Sequence, residues 1–473
     1  MIFDLDNKQG IALKDTNGRV LTYQELAAQI NKMKKLNPER AVAFILADNN
    51  VESLTIFLAM VESGIVPLML NADLDEDLLE MYIRAYEPLY IARSNSHRPV
   101  SGEDHTIFET DNYVVIKCNH DLYPIHKELS FLLSTSGTTG SPKLVRHKYS
   151  NMTENAKNVA EAFHFTKTEH ALANLPIYFT QGLNVALANL SVGATVILSN
   201  LSLMSKEFWN LLKEEKIASI TGVPFSYEVM VRLGLLKMDL PDLRVINEGG
   251  GRLNDHIFQV IAEYAVKTGK QFIPTYGATE TTSRMAYLPP ELAIHKIGSI
   301  GRPLPNGRIE LVAEDGSIID RPNIQGELVY YGPNVTMGYA FNKADLAKGD
   351  ERNGRYATGD IAYFDEDRCF FIVGRKGRFT KIFGYRIGLD ELEKILKDQF
   401  NMEFACMGDD QNVYIYTEQP VDSKQITAFL SDKLGLLNSI FKVVRINQIP
   451  RNSYGKILYK NLGKEDCEQY GKH

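Results

Sequence analysis

Through the first half of the chain, apolar runs of strand length alternate with apolar positions at helical spacing. That alternation limits the fold more than any other feature. Ala41–Ala47 is a continuous apolar run of strand length, flanked by two segments of helical period: Leu26, Ile30, Met33 and Leu36 before it, Leu54, Phe57, Leu58 and Val61 after it. Strand and helix periods in alternation predict a layered α/β domain. Ser130–Thr135 reads as a further strand ending in a glycine-rich loop, and Ser150 is the expected N-cap of a helix with Met152, Ala156, Val159 and Phe163 on one face. From about Gly298 the texture changes. Runs such as Arg308–Val312 and Gly326–Tyr331 stand between Pro-Asn-Gly, Glu-Asp-Gly and Tyr-Gly-Pro turns, which predicts a β-rich subdomain. After Gly374-Arg375-Lys376-Gly377-Arg378 a fresh helix places Leu389, Leu392, Ile395 and Leu396 on one face. The expected class is α/β: a large N-terminal domain of layered α/β subdomains plus a β-rich subdomain over residues 1–375, and a small mobile C-terminal α+β domain over residues 376–473. Arg375–Gly377 is the expected hinge, because glycine lowers the cost of a large backbone rotation.

Composition removes several functions. A chain of 473 residues carries two to four domain-sized units. Lys+Arg number 52 against 59 Asp+Glu, a net charge of -7, so there is no basic excess for sequence-independent nucleic-acid binding. Cys118, Cys369, Cys406 and Cys467 are widely separated and form no CxxC pair, the usage of a reduced cytoplasmic protein rather than a zinc ribbon or disulfide framework. Met1-Ile2-Phe3-Asp4-Leu5-Asp6 has early acids and no cationic apolar leader. Apolar runs fall short of the roughly 18 residues a membrane span needs. No membrane span is expected, and the expected location is the cytoplasm.

The segment that carries the most chemistry is Ser134-Thr135-Ser136-Gly137-Thr138-Thr139-Gly140-Ser141-Pro142-Lys143. Backbone N–H groups left open by glycine can form an anion-binding nest, and hydroxyls add donors suited to phosphate oxygens. It is not a Walker loop, since no Ser or Thr follows a Gly-Lys pair at the required spacing. By composition alone, a plain polar loop fits equally well.

Family resemblance goes further. The decapeptide resembles the phosphate loop of the adenylate-forming superfamily, which includes acyl-CoA synthetases, luciferases and the adenylation domains of peptide synthetases. Further segments resemble its motifs in the same order. Thr275-Tyr276-Gly277-Ala278-Thr279-Glu280 is similar to YGxTE, and Tyr356-Ala357-Thr358-Gly359-Asp360 to YxTGD. Gly374-Arg375 with Lys381, Gly384 and Arg386 resembles the hinge and the loop after it, and Pro450-Arg451-Asn452-Ser453-Tyr454-Gly455-Lys456 the terminal lysine motif.

The resemblance implies ATP-dependent activation of a carboxylic acid to an acyl-adenylate with release of pyrophosphate, then transfer to a thiol. ATP and Mg²⁺ are the implied cofactors, with coenzyme A or carrier-protein phosphopantetheine as acceptor. The implied partners are a small carboxylic acid and, on the second alternative, an acyl carrier protein. Such chemistry rests on positioning and charge neutralisation. Lys143, Thr279, Glu280, Lys381 and Lys456 are the implied catalytic residues. Glu280 would be a hard oxygen ligand for the metal, and Lys456 would bridge the acid and the α-phosphate. Gly249-Gly250-Gly251, Tyr276 and Gly277 would lie against adenine. Asp360 would accept both ribose hydroxyls, with Ile372 and Arg375 beside it.

There are departures. Phe179 stands where acyl-CoA synthetases often carry histidine, and no acid occupies the place where α-amino-acid activators keep an aspartate, which makes an unpaired substrate ammonium costly. Gly377 replaces the hinge Asp or Lys, and Tyr454 a common Ser or Thr. Tyr178, Phe179, Gln181, Asn184, Ser226, Asn247 and Met285 are the candidate acid pocket, a mixed set suited to a small or medium acid with polar groups. Two alternatives stay open: an amide-forming ligase that passes the adenylate to an amine, and a catalytically silent nucleotide-binding relative.

Overall fold

The computed structural model describes residues 1–463 apart from 98, 101, 135–142, 383–384, 410, 435 and 452–454. Its contacts divide the chain into two compact units, Met1–Ile309 with Tyr330–Tyr356, and Glu310–Val329 with the chain from Ala357 onward. The expected boundary at 375 falls inside the second unit.

The first unit is built on two large sheets. One orders Gly338–Ala340, Leu144–Lys148, Leu129–Ser134, Val66–Asn71, Val42–Ala47, Tyr90–Ser94, Tyr113–Cys118 and Glu103–Glu109. The other orders Arg302–Pro303, Ser283–Tyr287, Gln271–Ala278, Val245–Glu248, Ser219–Gly222, His170–Ala173, Thr195–Leu198, Ile11–Asp15 and Val20–Thr22. Each has a parallel centre, and strands such as Val42–Ala47 are buried on both faces, as helix-covered parallel sheets require. Helix Val51–Glu62 is buried at every position but the last, and Thr180–Val192 is buried from Gly182 to Leu190. Helices apolar all round belong in an interior layer, and both contribute to one core with strands from the two sheets.

Local sequence explains most element ends. Thr22 and Glu25 form a reciprocal capping box on helix Tyr23–Lys35. That helix stops before Leu36, which is 48% exposed, so the apolar face ends at Met33. The helix expected to start at Ser150 is Tyr149–Ala162 and begins earlier. The Asn151 side chain accepts the Lys148 backbone N–H at 2.8 Å and fixes the start there, so Ser150 is not the cap.

Strand Arg355–Phe364, which belongs to the second unit from Ala357 onward, pairs antiparallel with Phe370–Arg375 and places Asp360 opposite Arg375. Beyond them, the strands Ala405–Gly408, Val413–Thr417 and Phe441–Arg445 form a three-stranded sheet. Helices Leu389–Phe400 and Ser423–Leu434 share its core through Leu392, Leu396, Ile426 and Leu430. No helix among the described residues is long and apolar enough to cross a membrane.

Candidate active site

Parallel strands Ser219–Gly222 and Val245–Glu248 end side by side, and Gln271–Ala278 pairs beside them and runs on past their ends; in such sheets ligands bind beyond the carboxyl ends. Gly249, Gly250 and Gly251 follow the middle strand there. A side chain at Gly249 would stand 2.5 Å from Thr275 Oγ1, and Gly250 has a φ of +90°. Backbone, not side chain, therefore faces that mouth. Tyr276 lies half-buried on the next strand. A Cβ at Gly277 would come within 1.5 Å of the Ser283 carbonyl oxygen, so hairpin closure alone demands glycine.

A single 3₁₀ turn, Thr279–Thr281, leaves that strand. Thr279 Oγ1 accepts the Thr180 hydroxyl at 3.0 Å, and Glu280 Oε1 accepts the Tyr339 hydroxyl at 2.6 Å. The Lys143 ammonium stands 3.8 Å from the centroid of that same tyrosine ring, and the Arg352 guanidinium 4.5 Å from it. Arg352 also donates to Thr336 Oγ1 at 2.5 Å and to the Glu280 carbonyl at 3.3 Å. Burial and the Glu280 carboxylate push the Tyr339 phenol upward, so it remains a donor. The motif residues Lys143, Thr279 and Glu280 thus gather around Tyr339, Thr180 and Arg352. Tyr339 and Arg352 carry no motif and were not legible beforehand, while Thr180 stands in the segment 175–182 that resembles the family's gate but had no role assigned to it.

Ser134 ends one strand and Lys143 precedes the next; Ser134 pairs with Leu144 across an antiparallel register. The loop they bracket, with Thr135, Ser136, Gly137, Thr138, Thr139 and Gly140, lies outside the described residues.

The pocket candidates divide. Tyr178 and Phe179 meet edge to face at 4.6 Å before helix Thr180–Val192. Gln181 lies close to Gly249 and Gly250, its Nε2 buried without a partner. One turn on, Asn184 donates to Asn155 Oδ1 at 2.7 Å and accepts from Arg284. Arg284 also donates to Asn247 Oδ1 at 2.5 Å. Ser226 is buried beside Gly222. Met285 is fully buried against Tyr330 and Val335. Strand alternation puts Arg284 on the opposite face from Met285, and it is Arg284 that joins Asn184 to Asn247.

In the second unit, Asp360 is 6% exposed, and Arg375 Nε lies 2.9 Å from its Oδ1. Thr358 Oγ1 accepts the Asp360 N–H at 3.0 Å, after which Gly359 takes a φ of +73°. Ile372 pairs with Ala362 across the hairpin. A side chain at Gly377 would meet open space. Lys381 lies in strand Phe379–Ile382, its side chain outside the described residues, as is Gly384. Lys456 is exposed, in a loop closed by the Arg451–Ile457 bridge.

Residues 6–340 match the model of the AMP-binding enzyme family. The chain belongs to that family. It is an adenylate-forming carboxylic acid ligase. Among its relatives, a 2-succinylbenzoate–CoA ligase of Oceanobacillus iheyensis is 26% identical over 97% of this chain and 96% of its own. An oxalate–CoA ligase of Arabidopsis thaliana is 26% identical over 89% and 87%. The Bacillus subtilis O-succinylbenzoate coenzyme A synthetase in complex with ATP and magnesium ion shares the fold, with a TM-score of 0.77 at 22% identity over 96% of each chain.

The donor set around Glu280 fits a magnesium ion held largely by a nucleotide. The described residues contain no cluster of three or more His, Cys, Asp or Glu that could cage a metal alone. Mg²⁺ ordinarily takes one or two carboxylates, with phosphate oxygens and water completing its shell.

This AMP-binding enzyme also buries a histidine next to the site. His147 is fully buried, stacked on Phe131 at 4.3 Å, with Nδ1 3.2 Å from Thr282 Oγ1. Burial, and secondarily the Arg352 charge, push its pKa from 6.5 down to about 3. A folded pKa below the unfolded one means the unfolded state binds the proton more readily. The contribution is therefore complete above pH 6.5 and is lost as pH falls towards 3. The expected result is a stability that declines by up to ~1.4 kcal/mol per pH unit from this group across that window. Denaturant titrations of wild type and His147→Gln at pH 7, 6, 5 and 4 check it; parallel slopes in the two would rule the group out.

Proposed function

We propose that this enzyme is an acid–CoA ligase acting on a small carboxylic acid. In the first step the acid attacks the α-phosphate of ATP and pyrophosphate leaves; in the second, the coenzyme A thiol displaces AMP to give the thioester. The carrying observation is the meeting of Lys143 and Glu280 at Tyr339, with Thr279, next to Glu280 in the chain, held by Thr180, beyond the carboxyl ends of the parallel strands. There Glu280 holds the metal that neutralises phosphate charge, while Tyr339 fixes one carboxylate oxygen. Thr279, set by Thr180, donates to the α-phosphate, and Lys143 lies against the phosphates. Gly249 to Gly251 and Tyr276 receive adenine. Asp360, oriented by Arg375, binds the ribose, and Ile372 packs beside it. Lys456 stabilises charge in adenylation and Lys381 serves transfer. Residues 376–473 are the rotating domain. Turning at Arg375–Gly377 exchanges the Arg375 N–H bond to Asp390 (2.9 Å) and the Lys376 N–H bond to the Gly359 carbonyl (2.6 Å).

Coenzyme A is favoured over a carrier protein because the relatives that match along most of their length are named CoA ligases. A cytoplasmic location suits these co-substrates and the buried cysteines Cys118, Cys369 and Cys406. The test is a carboxylic-acid panel with Mg·ATP, read as pyrophosphate release and, with coenzyme A added, as thioester by mass. Acid-dependent release followed by thioester is expected. ATP binding without release for any acid would favour the silent-relative reading, and release with thioester formed only on a phosphopantetheinyl carrier protein would replace coenzyme A as the acceptor.

A further inference from the structure

Arg284 is a buried cation without a counter-ion among the described residues. It is 3% exposed, and its guanidinium carries five N–H donors. Two of them meet an acceptor, Asn184 Oδ1 and Asn247 Oδ1. Nε is buried and unpaired. Both acceptors are neutral amides, which orient the guanidinium, and the Phe163 ring lies 5.5 Å from it; neither supplies a full negative charge. Leaving buried donors of a charged group unsatisfied is costly, and a site that carries such a group calls for an explanation.

The surroundings indicate where the missing acceptor comes from. Asn184 stands one helical turn from Gln181, roughly 5 Å along the axis. Gln181 has its own buried, unpaired Nε2 beside Gly249 and Gly250, at the mouth where the parallel strands end. Unpaired donors therefore run from the strand ends inward to Arg284. Glu248, next to Asn247 in the chain, forms no ion pair with Arg284: it is 3% exposed with an unpaired Oε1, and burial raises its pKa, which disfavours the charged carboxylate. Desolvation lowers the Arg284 pKa only to about 10, which leaves the guanidinium charged at neutral pH.

We propose that Arg284, held by Asn184 and Asn247, is the specificity residue of the acid pocket and receives a second carboxylate at the far end of the substrate, making this a ligase for dicarboxylic acids. The placement of the acid at these strand ends rests on the function proposed above. A planar guanidinium pre-set by two amides presents its remaining donors in the geometry a carboxylate accepts. A monocarboxylic acid of the same size would leave those donors unmet, and sites built around a polar group reject ligands lacking it.

The experiment compares each diacid from malonate to adipate, with phthalate as an aromatic member, against its own monomethyl ester, which removes the distal charge. In wild type the best diacid should exceed its ester in kcat/KM for pyrophosphate release by on the order of 100-fold. Arg284→Met should bring that ratio to within a few-fold of unity. Asn247→Asp, which supplies Arg284 with an internal carboxylate, should lower the ratio with the arginine still in place, and it carries the test should Arg284→Met not fold. Calorimetric titration of the same diacid reads binding independently of catalysis. Diacid binding that is lost in Arg284→Met, without pyrophosphate release by wild type, would sustain this proposal and refute the ligase reading. Acid activation with a diacid-to-ester ratio indifferent to both variants would do the reverse, and would mean that water alone serves the guanidinium.

Discussion

Lys456→Ala is expected to slow acyl-adenylate formation by at least ~100-fold, the loss that follows removal of a transition-state charge stabiliser worth about 2.7–4 kcal/mol. The same variant, given pre-formed acyl-adenylate, should pass the acyl group to coenzyme A at a near-normal rate. The loop that carries Lys456 is held by bonds of other residues. Arg451 closes it through the bridge to Ile457, donates to the Gly455 carbonyl at 2.7 Å and pairs with Glu403; the Leu458 N–H bonds the Pro450 carbonyl at 2.7 Å. Removing the lysine side chain leaves those bonds in place. Lys381→Ala should show the opposite pattern, accumulating acyl-adenylate and failing in transfer, because under the proposed rotation the two lysines serve different steps. Single-turnover rates of the two half-reactions decide the matter. Equal damage to both steps from Lys456→Ala would sink the alternating-domain account.

Asp360→Ala should weaken ATP binding by about 2–4 kcal/mol, through loss of charge-assisted hydrogen bonds to two ribose hydroxyls. The Asp360–Arg375 pair complicates a simple reading, since truncating one partner also frees the other. Arg375 is largely exposed, so water replaces its lost partner at small cost, and the pair itself contributes little to stability. Asp360→Asn keeps the shape and one acceptor oxygen and should fall between wild type and alanine. Calorimetric titration with ATP, beside a melting curve for each variant, separates binding from folding. An ATP affinity unmoved by Asp360→Ala would leave Asp360 as a turn residue supporting Gly359.

Much of the architecture could be read from local pattern, for a definite reason. Val42–Ala47, Arg308–Val312 and Gly326–Tyr331 are contiguous runs whose period is set by neighbouring residues. Boundaries were less legible. Leu36 continues the apolar period yet is exposed past the helix end, and Asn151 rather than Ser150 sets a helix start. Solvent exposure sets the first boundary and a side-chain hydrogen bond the second, and neither follows from the periodic pattern.

Chemistry confined to short segments was likewise present in the sequence: the order of the motifs from Ser134 to Lys456, and with it membership of the AMP-binding enzymes. What only the tertiary structure decided is which side chains meet from distant parts of the chain. Tyr339 touches Glu280 across 59 positions, and Arg284 reaches Asn184 across 100 and Asn247 across 37. Apart from Glu280, none of these belongs to a motif. A buried arginine with two amide partners reads, in sequence, like any solvated arginine on a strand, because burial and missing counter-charge are properties of the packed sheet and helix rather than of the residues next to it.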